Sequence, residues 1–160
     1  MSKEVKNTAQ AEETTEMMVV NRNDIISGSA IHALTDTATA FFSSIADNGT
    51  RESKVAIYNA INKADEKLDD HKNEVLNIKD VVAHTVTLID ENTSEVIDCT
   101  RIVLINDKGV GYESISVGIY SSLQKLFAIV GMPTWDEPLK VKCVEQKTRK
   151  GFKTLTLELV

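Results

Sequence analysis

Leu139-Lys140-Val141-Lys142-Cys143-Val144-Glu145-Gln146, then Lys147-Thr148-Arg149-Lys150-Gly151, then Phe152-Lys153-Thr154-Leu155-Thr156-Leu157-Glu158-Leu159, is the stretch that decides the fold. Apolar and polar residues alternate on both sides of a short Gly-containing loop, the pattern of two half-buried β-strands in a hairpin. Leu139, Val141 and Cys143 point one way and Lys140 and Lys142 the other, while Leu155, Leu157 and Leu159 oppose Phe152, Thr154 and Thr156. One face is therefore predicted to join a core, and the other to carry lysine, threonine and an aromatic ring.

Working back from the hairpin, Pro133-Thr134-Trp135-Asp136-Glu137-Pro138 is a link, and before it lies the clearest helical pattern of the chain. Ser116 suits the N-cap, Ile119, Tyr120, Leu123, Leu126, Phe127 and Val130 form one stripe, and Gly131 with Pro133 ends it. Three strands precede this helix. The first is long and bent, carrying Leu76, Ile78, Val82, Val86 and Leu88 on one parity and Val81, Ala83, Thr85, Thr87 and Ile89 on the other. Glu95 to Ile105 follows the polar turn Asp90–Ser94, and Val110 to Ile115 follows the turn Asn106-Asp107-Lys108-Gly109.

The order strand, strand, strand, helix, strand, strand from residue 73 onward is that of a five-stranded OB barrel with its helix between strands 3 and 4, in a mainly β, α+β chain. Another small α+β domain with an open sheet would show the same order, because periodicity yields elements and not their pairing. Upstream, Ile31, Leu34, Ala38, Phe41, Phe42 and Ile45 suggest a helix within 25–45, and Ile57, Ile61, Ala64 and Leu68 a second over 53–68, with Asp65-Glu66-Lys67-Leu68-Asp69-Asp70-His71-Lys72 as its solvated end. The expected organisation is a disordered tail over 1–20, a helical N-terminal extension over 21–72, and the OB domain over 73–160. Residues 1–16 have hardly an apolar anchor to offset the entropy of ordering.

At 160 residues, 42% of them hydrophobic, the chain supports one core plus an extension. Cys99 and Cys143 are expected to be buried thiols, with no CxxC and no His at ligand spacing. No secretory leader pattern and no apolar run of about 20 residues is visible, so a cytoplasmic protein without membrane partners is expected. His32, His71 and His84 are scattered, and no Gly-rich phosphate loop, nucleophile elbow or HExxH is present, so no enzyme, cofactor or metal is expected.

The net charge of −6 argues against coating duplex DNA with the whole surface, since such binding runs on counterion release by many Lys and Arg. Within that acidic chain, Pro138 to Lys153 holds six basic residues, Lys140, Lys142, Lys147, Arg149, Lys150 and Lys153, against the single acid Glu145. Local cationic clusters recognise backbone phosphates, and Phe152 beside them offers a ring on which a base can stack. Tyr112 and Trp135 are further ring candidates, Trp135 equally suited to plug a barrel end, and Arg101 is a candidate groove cation. Lysines guarding an exposed strand edge are the competing reading of the same charge.

Gly111-Tyr112-Glu113-Ser114-Ile115-Ser116, the helix through Leu123, Phe127 and Gly131, Trp135-Asp136-Glu137-Pro138-Leu139 and Lys147-Thr148-Arg149-Lys150-Gly151-Phe152-Lys153 together resemble the single-stranded DNA-binding proteins of Gram-positive bacteriophages and related mobile elements. The resemblance covers about half the chain. It implies an OB-fold protein that coats replicating phage DNA without sequence preference, in the cytoplasm of the host, with replication proteins as further partners; the sequence does not give the oligomeric state. A protein-interaction or virion-associated module built on the same small barrel is the alternative.

Overall fold

The computed structural model describes residues 41–133 and 135–160. Its elements are β1 (Phe41–Ser43), α1 (Arg51–Asn62), β2 (Glu66–Lys67), a 3₁₀ turn (Leu68–His71), β3 (Val75–Ile89), β4 (Val96–Asn106), β5 (Gly111–Ser114), α2 (Val117–Val130), β6 (Leu139–Lys147) and β7 (Lys153–Leu159). The strands form one sheet in the order β2-β5-β4-β3-β6-β7, with β1 added to β3. The strand and helix positions from residue 75 on match the sequence reading to within a residue or two.

β3 organises the sheet. Its first residues pair antiparallel with β6, from Val75↔Lys142 to Ile78↔Leu139, and the rest pairs antiparallel with β4, out to Ile89↔Val96. Between Ile78 and Asp80 the register slips by one residue. Such a bulge bends the strand and reverses which parity faces inward. Leu76 and Ile78 before it, and Val81 and Ala83 after it, thus share the core, whereas simple alternation puts Val82 on the side of Ile78. Val82 pairs with Val103, and both are buried on the opposite face. Ser44 closes the irregularity: its Oγ accepts from the Val81 N–H at 2.9 Å and donates to Asp80 Oδ1 at 2.9 Å.

The core joins Ile102 and Leu104 of β4, Tyr112 of β5, Val141 and Cys143 of β6, and Ile119, Leu123 and Leu126 of α2. Cys143 is buried as expected, and burial pushes its thiol up; Cys99, on the exposed half of the β3–β4 hairpin, is only half-buried.

The sheet curls into a half-barrel and stops short of closure, for β5 and β7 are not paired with each other. Two other elements cover the facing edges. β2 runs parallel to β5, with Glu66 opposite Tyr112, and Asp65 anchors it, donating its N–H to the Gly111 carbonyl and accepting the Gly111 N–H on Oδ2, each at 3.0 Å. On β7, Ser122 Oγ of α2 accepts the outward N–H of Leu157 at 3.1 Å, and the helix begins so close that a β-carbon on Gly118 would lie 2.1 Å from the Leu155 carbonyl oxygen.

The region before β3 departs from the expected helices. Phe41 and Phe42 lie in a strand, because the β1 backbone finds partners along β3, from Phe41↔His84 to Ser43↔Val82. The second helix ends at Asn62, and Leu68, expected as its last apolar residue, is fully buried in the main core. His71 after it is clamped between Glu66 and Glu74, whose carboxylates hold its imidazole above the ordinary histidine range, the Glu74 hydrogen bond being the larger cause. The expected tail over 1–20 and most of the expected helix over 25–45 lie outside the described residues. Among the described residues no helix is long and apolar enough to cross a membrane.

Replacing a helical glycine with alanine ordinarily adds about 1 kcal/mol of stability. Gly118→Ala should do the reverse and destabilise the protein by about 1–3 kcal/mol, because the added methyl meets β7 backbone rather than a movable side chain. Denaturant unfolding measures this, and a variant as stable as the parent would contradict the close seating of α2.

Candidate nucleic-acid interface

The β6–β7 hairpin projects its loop beyond the core. Lys147 pairs with Lys153 as the last rung, and the loop is closed by the Thr148 N–H donating to the Phe152 carbonyl at 2.7 Å and the Gly151 N–H to the Thr148 carbonyl at 2.9 Å. Gly151 takes φ +83°, a left-handed conformation that glycine adopts without a steric penalty. The turn leaves Arg149, Lys150 and Phe152 exposed, with Phe152 70% accessible. An aromatic ring so exposed gains nothing from the core, and four cations surround it in the chain.

Register divides the cations between two faces. Lys140 and Lys142 lie on the face opposite Val141 and Cys143, and Lys142 is five residues, about 17 Å, from the last rung. Lys147 and Lys153 share the parity of Cys143 and Leu157, so they extend the concave side beyond the core. Glu145, on that same side, accepts from Lys153 Nζ at 3.1 Å and from Lys72 Nζ at 3.1 Å, and both lysines hold its carboxyl below the usual range. Among the described residues Lys147, Arg149 and Lys150 form no ion pair.

A gap separates β5 from β7, and the β3–β4 hairpin borders it with the face of Val82 and Val103, since Val86, Leu88 and Arg101 share their parity. A cavity of about 500 Å³ there is lined by Lys67, Val86, Leu88, Arg101, Ile115 and Leu155, among others. A second cavity of about 300 Å³, sharing Asp69, Ser116 and Leu155 with the first, reaches Lys72, Glu145 and Lys153. The groove thus lies between the β3–β4 hairpin and the basic loop, with apolar walls and cations along its length.

The remaining ring and cation candidates have other surroundings. Tyr112 is 7% exposed within the core, its hydroxyl accepting from Asn106 Nδ2 at 3.3 Å, and burial pushes its phenol up. Trp135 is half-buried against the core. Arg101 lines the groove but is engaged: its Nε donates to Glu113 Oε2 at 2.7 Å and its Nη1 to the Ile61 carbonyl at 2.8 Å, tying the end of α1 to the sheet. It faces His84 across the strands, and burial, aided by the Arg101 charge, pulls that imidazole below its ordinary range. Lys67, Asp69 and Lys72 are groove residues that the sequence does not single out, since their run carries no motif and only the long-range docking of Leu68 places them there.

A protein-family model described as phage single-stranded DNA-binding protein, of the phi29 type, matches residues 35–160. The chain belongs to that family. It is accordingly a phage protein that binds single-stranded DNA, and the match takes in β1, α1 and the segment through Lys72 as well as the strands that follow. No curated protein and no solved structure matches the chain.

Removing a stacking ring costs about 1–3 kcal/mol per base. Phe152→Ala should therefore weaken binding to oligothymidine by about 5- to 150-fold in a fluorescence titration, with thermal unfolding unchanged because the ring is outside the core. Unchanged affinity would remove Phe152 from the interface.

Proposed function

We propose that the protein coats single-stranded DNA without strong sequence preference and protects it during phage DNA replication or recombination. The DNA lies in the groove between the β3–β4 hairpin and the basic loop. The observation that carries the reading is Phe152, exposed at the hairpin tip beside Lys147, Arg149, Lys150 and Lys153 in a protein of net charge −6. Cations neutralise phosphates regardless of sequence, and every base has a face to stack, so this pairing of residue types favours general binding.

The antiparallel pairings β3–β4, β4–β5, β3–β6 and β6–β7 support an OB-type domain in which β3, β4, β5, β6 and β7 serve as strands one to five. The barrel is open between its third and fifth strands, and the groove runs along that opening. In such barrels ligands cross strands two and three between the loops joining strands one to two and four to five. Leu68 and β1 belong to the same core and sheet, so the folded domain begins before residue 73. A coat of this kind works where phage DNA is copied, in the host cytoplasm, beside replication proteins acting on the same strand. It performs no catalysis. The rings available for stacking are Phe152 first and Trp135 second, with Lys140 and Lys142 reaching DNA that leaves the groove around the outer face.

Titrating the protein with oligothymidine and with duplex at two salt concentrations should give much tighter binding to the single strand. The logarithm of affinity should fall with that of salt by about 0.7 for each phosphate neutralised. Joint replacement of Lys147, Arg149, Lys150 and Lys153 by alanine should flatten that slope by about 0.7 for each phosphate that the variant no longer neutralises. Equal affinity for duplex, or an unaltered slope in the fourfold variant, would point instead to a protein-interaction module whose lysines guard a strand edge.

A further inference from the structure

The groove holds a charged cluster that the loop does not account for. Lys72, just after the 3₁₀ turn, and Lys153, opening β7, reach one carboxylate from opposite walls: Lys72 Nζ lies 3.1 Å from Glu145 Oε2, and Lys153 Nζ 3.1 Å from Glu145 Oε1. Asp69 Oδ1 also accepts from Lys72 Nζ, at 2.8 Å. Hydrogen bonds to Asp69 and Glu145 push the Lys72 ammonium up to about 12.

Partly exposed ion pairs contribute little to stability, so holding a fold together is a weak reason for this network. Its position offers a better one. The cluster lines the smaller cavity beside Ser116 and Thr154, which opens into the larger groove. Two ammonium groups that converge on the two oxygens of one anion have the arrangement that the two non-bridging oxygens of a phosphodiester require. Glu145 is also the single acid among the six basic residues of the hairpin segment.

We propose that Lys72 and Lys153 form a phosphate site on the path of the single strand, which Glu145 occupies in the free protein as an internal substitute for the phosphate. The proposal rests on the groove reading above. When DNA enters, a phosphodiester takes the two ammonium groups and the Glu145 carboxylate turns to water. Each binding event then exchanges one anion for another, which lowers affinity and flattens its salt dependence. A strand that cannot supply a phosphate at that point leaves the site closed.

The test compares the full-length protein with Glu145→Gln, Lys72→Ala and the double variant, titrated with oligothymidine across a salt series. Removing the competing carboxylate should tighten binding roughly fivefold at low salt. The slope should steepen by about 0.7, and both gains should vanish in the double variant. Unchanged or weaker binding by a Glu145→Gln protein that unfolds at the parent temperature would overturn the proposal and make Glu145 a brace for the hairpin. Should that variant be unstable, Lys72→Met decides: it keeps the apolar stem, and the site predicts weaker binding with a shallower slope, where an unchanged slope overturns it. Preference of the parent protein for single strands over duplex tests the groove reading separately, and it can hold while the Glu145 result fails.

Discussion

The bulge between Ile78 and Asp80 is the constraint from which the rest of the structure follows. A straight 15-residue strand would send half of its apolar residues to each face along its whole length. By adding one residue to the ladder, β3 turns Leu76 and Ile78, and then Val81 and Ala83, toward the same core. The bend lets the start of the strand pair with β6 while its remainder pairs with β4, and curls the sheet into a half-barrel. Asp80 and the Val81 N–H at the irregularity are both satisfied by Ser44, which makes the segment after β1 part of the device.

Leaving β5 and β7 apart creates the groove, and each exposed edge is handled locally. β2 pairs with β5, and α2 packs on β7 through Ser122 and the close approach at Gly118. Edge strands with unpaired backbone invite aggregation, so covering them protects an open sheet from pairing with other chains. Electrostatics follow the same geometry. Acidity is spread over the chain, whereas cations gather on the hairpin that overhangs the opening, and a local cluster of that kind suits backbone phosphates while acidity elsewhere limits adhesion to other polyanions.

The hairpin, α2 and the β3–β4 arm are legible in the sequence because each is defined by local alternation or by a 3.6-residue stripe with end signals. The basic loop and the exposure of Phe152 follow from the same alternation. What cannot be read depends on distant partners. Phe41 and Phe42 fit a helical stripe, and only pairing with β3 makes them a strand. Leu68 fits the end of a helix, but its burial requires the core formed by β3 to β6 and α2. Tyr112 has the chemistry of a stacking ring, yet its strand turns that side chain inward, and Arg101 has the charge of a groove cation, yet Glu113 and the Ile61 carbonyl engage it. Lys72 sits in an Asp-Asp-His-Lys run that reads as solvated surface, and nothing local signals its reach to Glu145, 73 residues away.

The central claim is that single-stranded DNA lies along the opening of the half-barrel, gripped at the hairpin tip. Backbone amide shifts of the labelled protein on adding oligothymidine test it most directly. The account predicts the largest changes at Thr148–Lys153 and at Ser114–Ser116 on the opposite wall, with little change on α1. Shifts confined to α1, with the hairpin tip unperturbed, would contradict it.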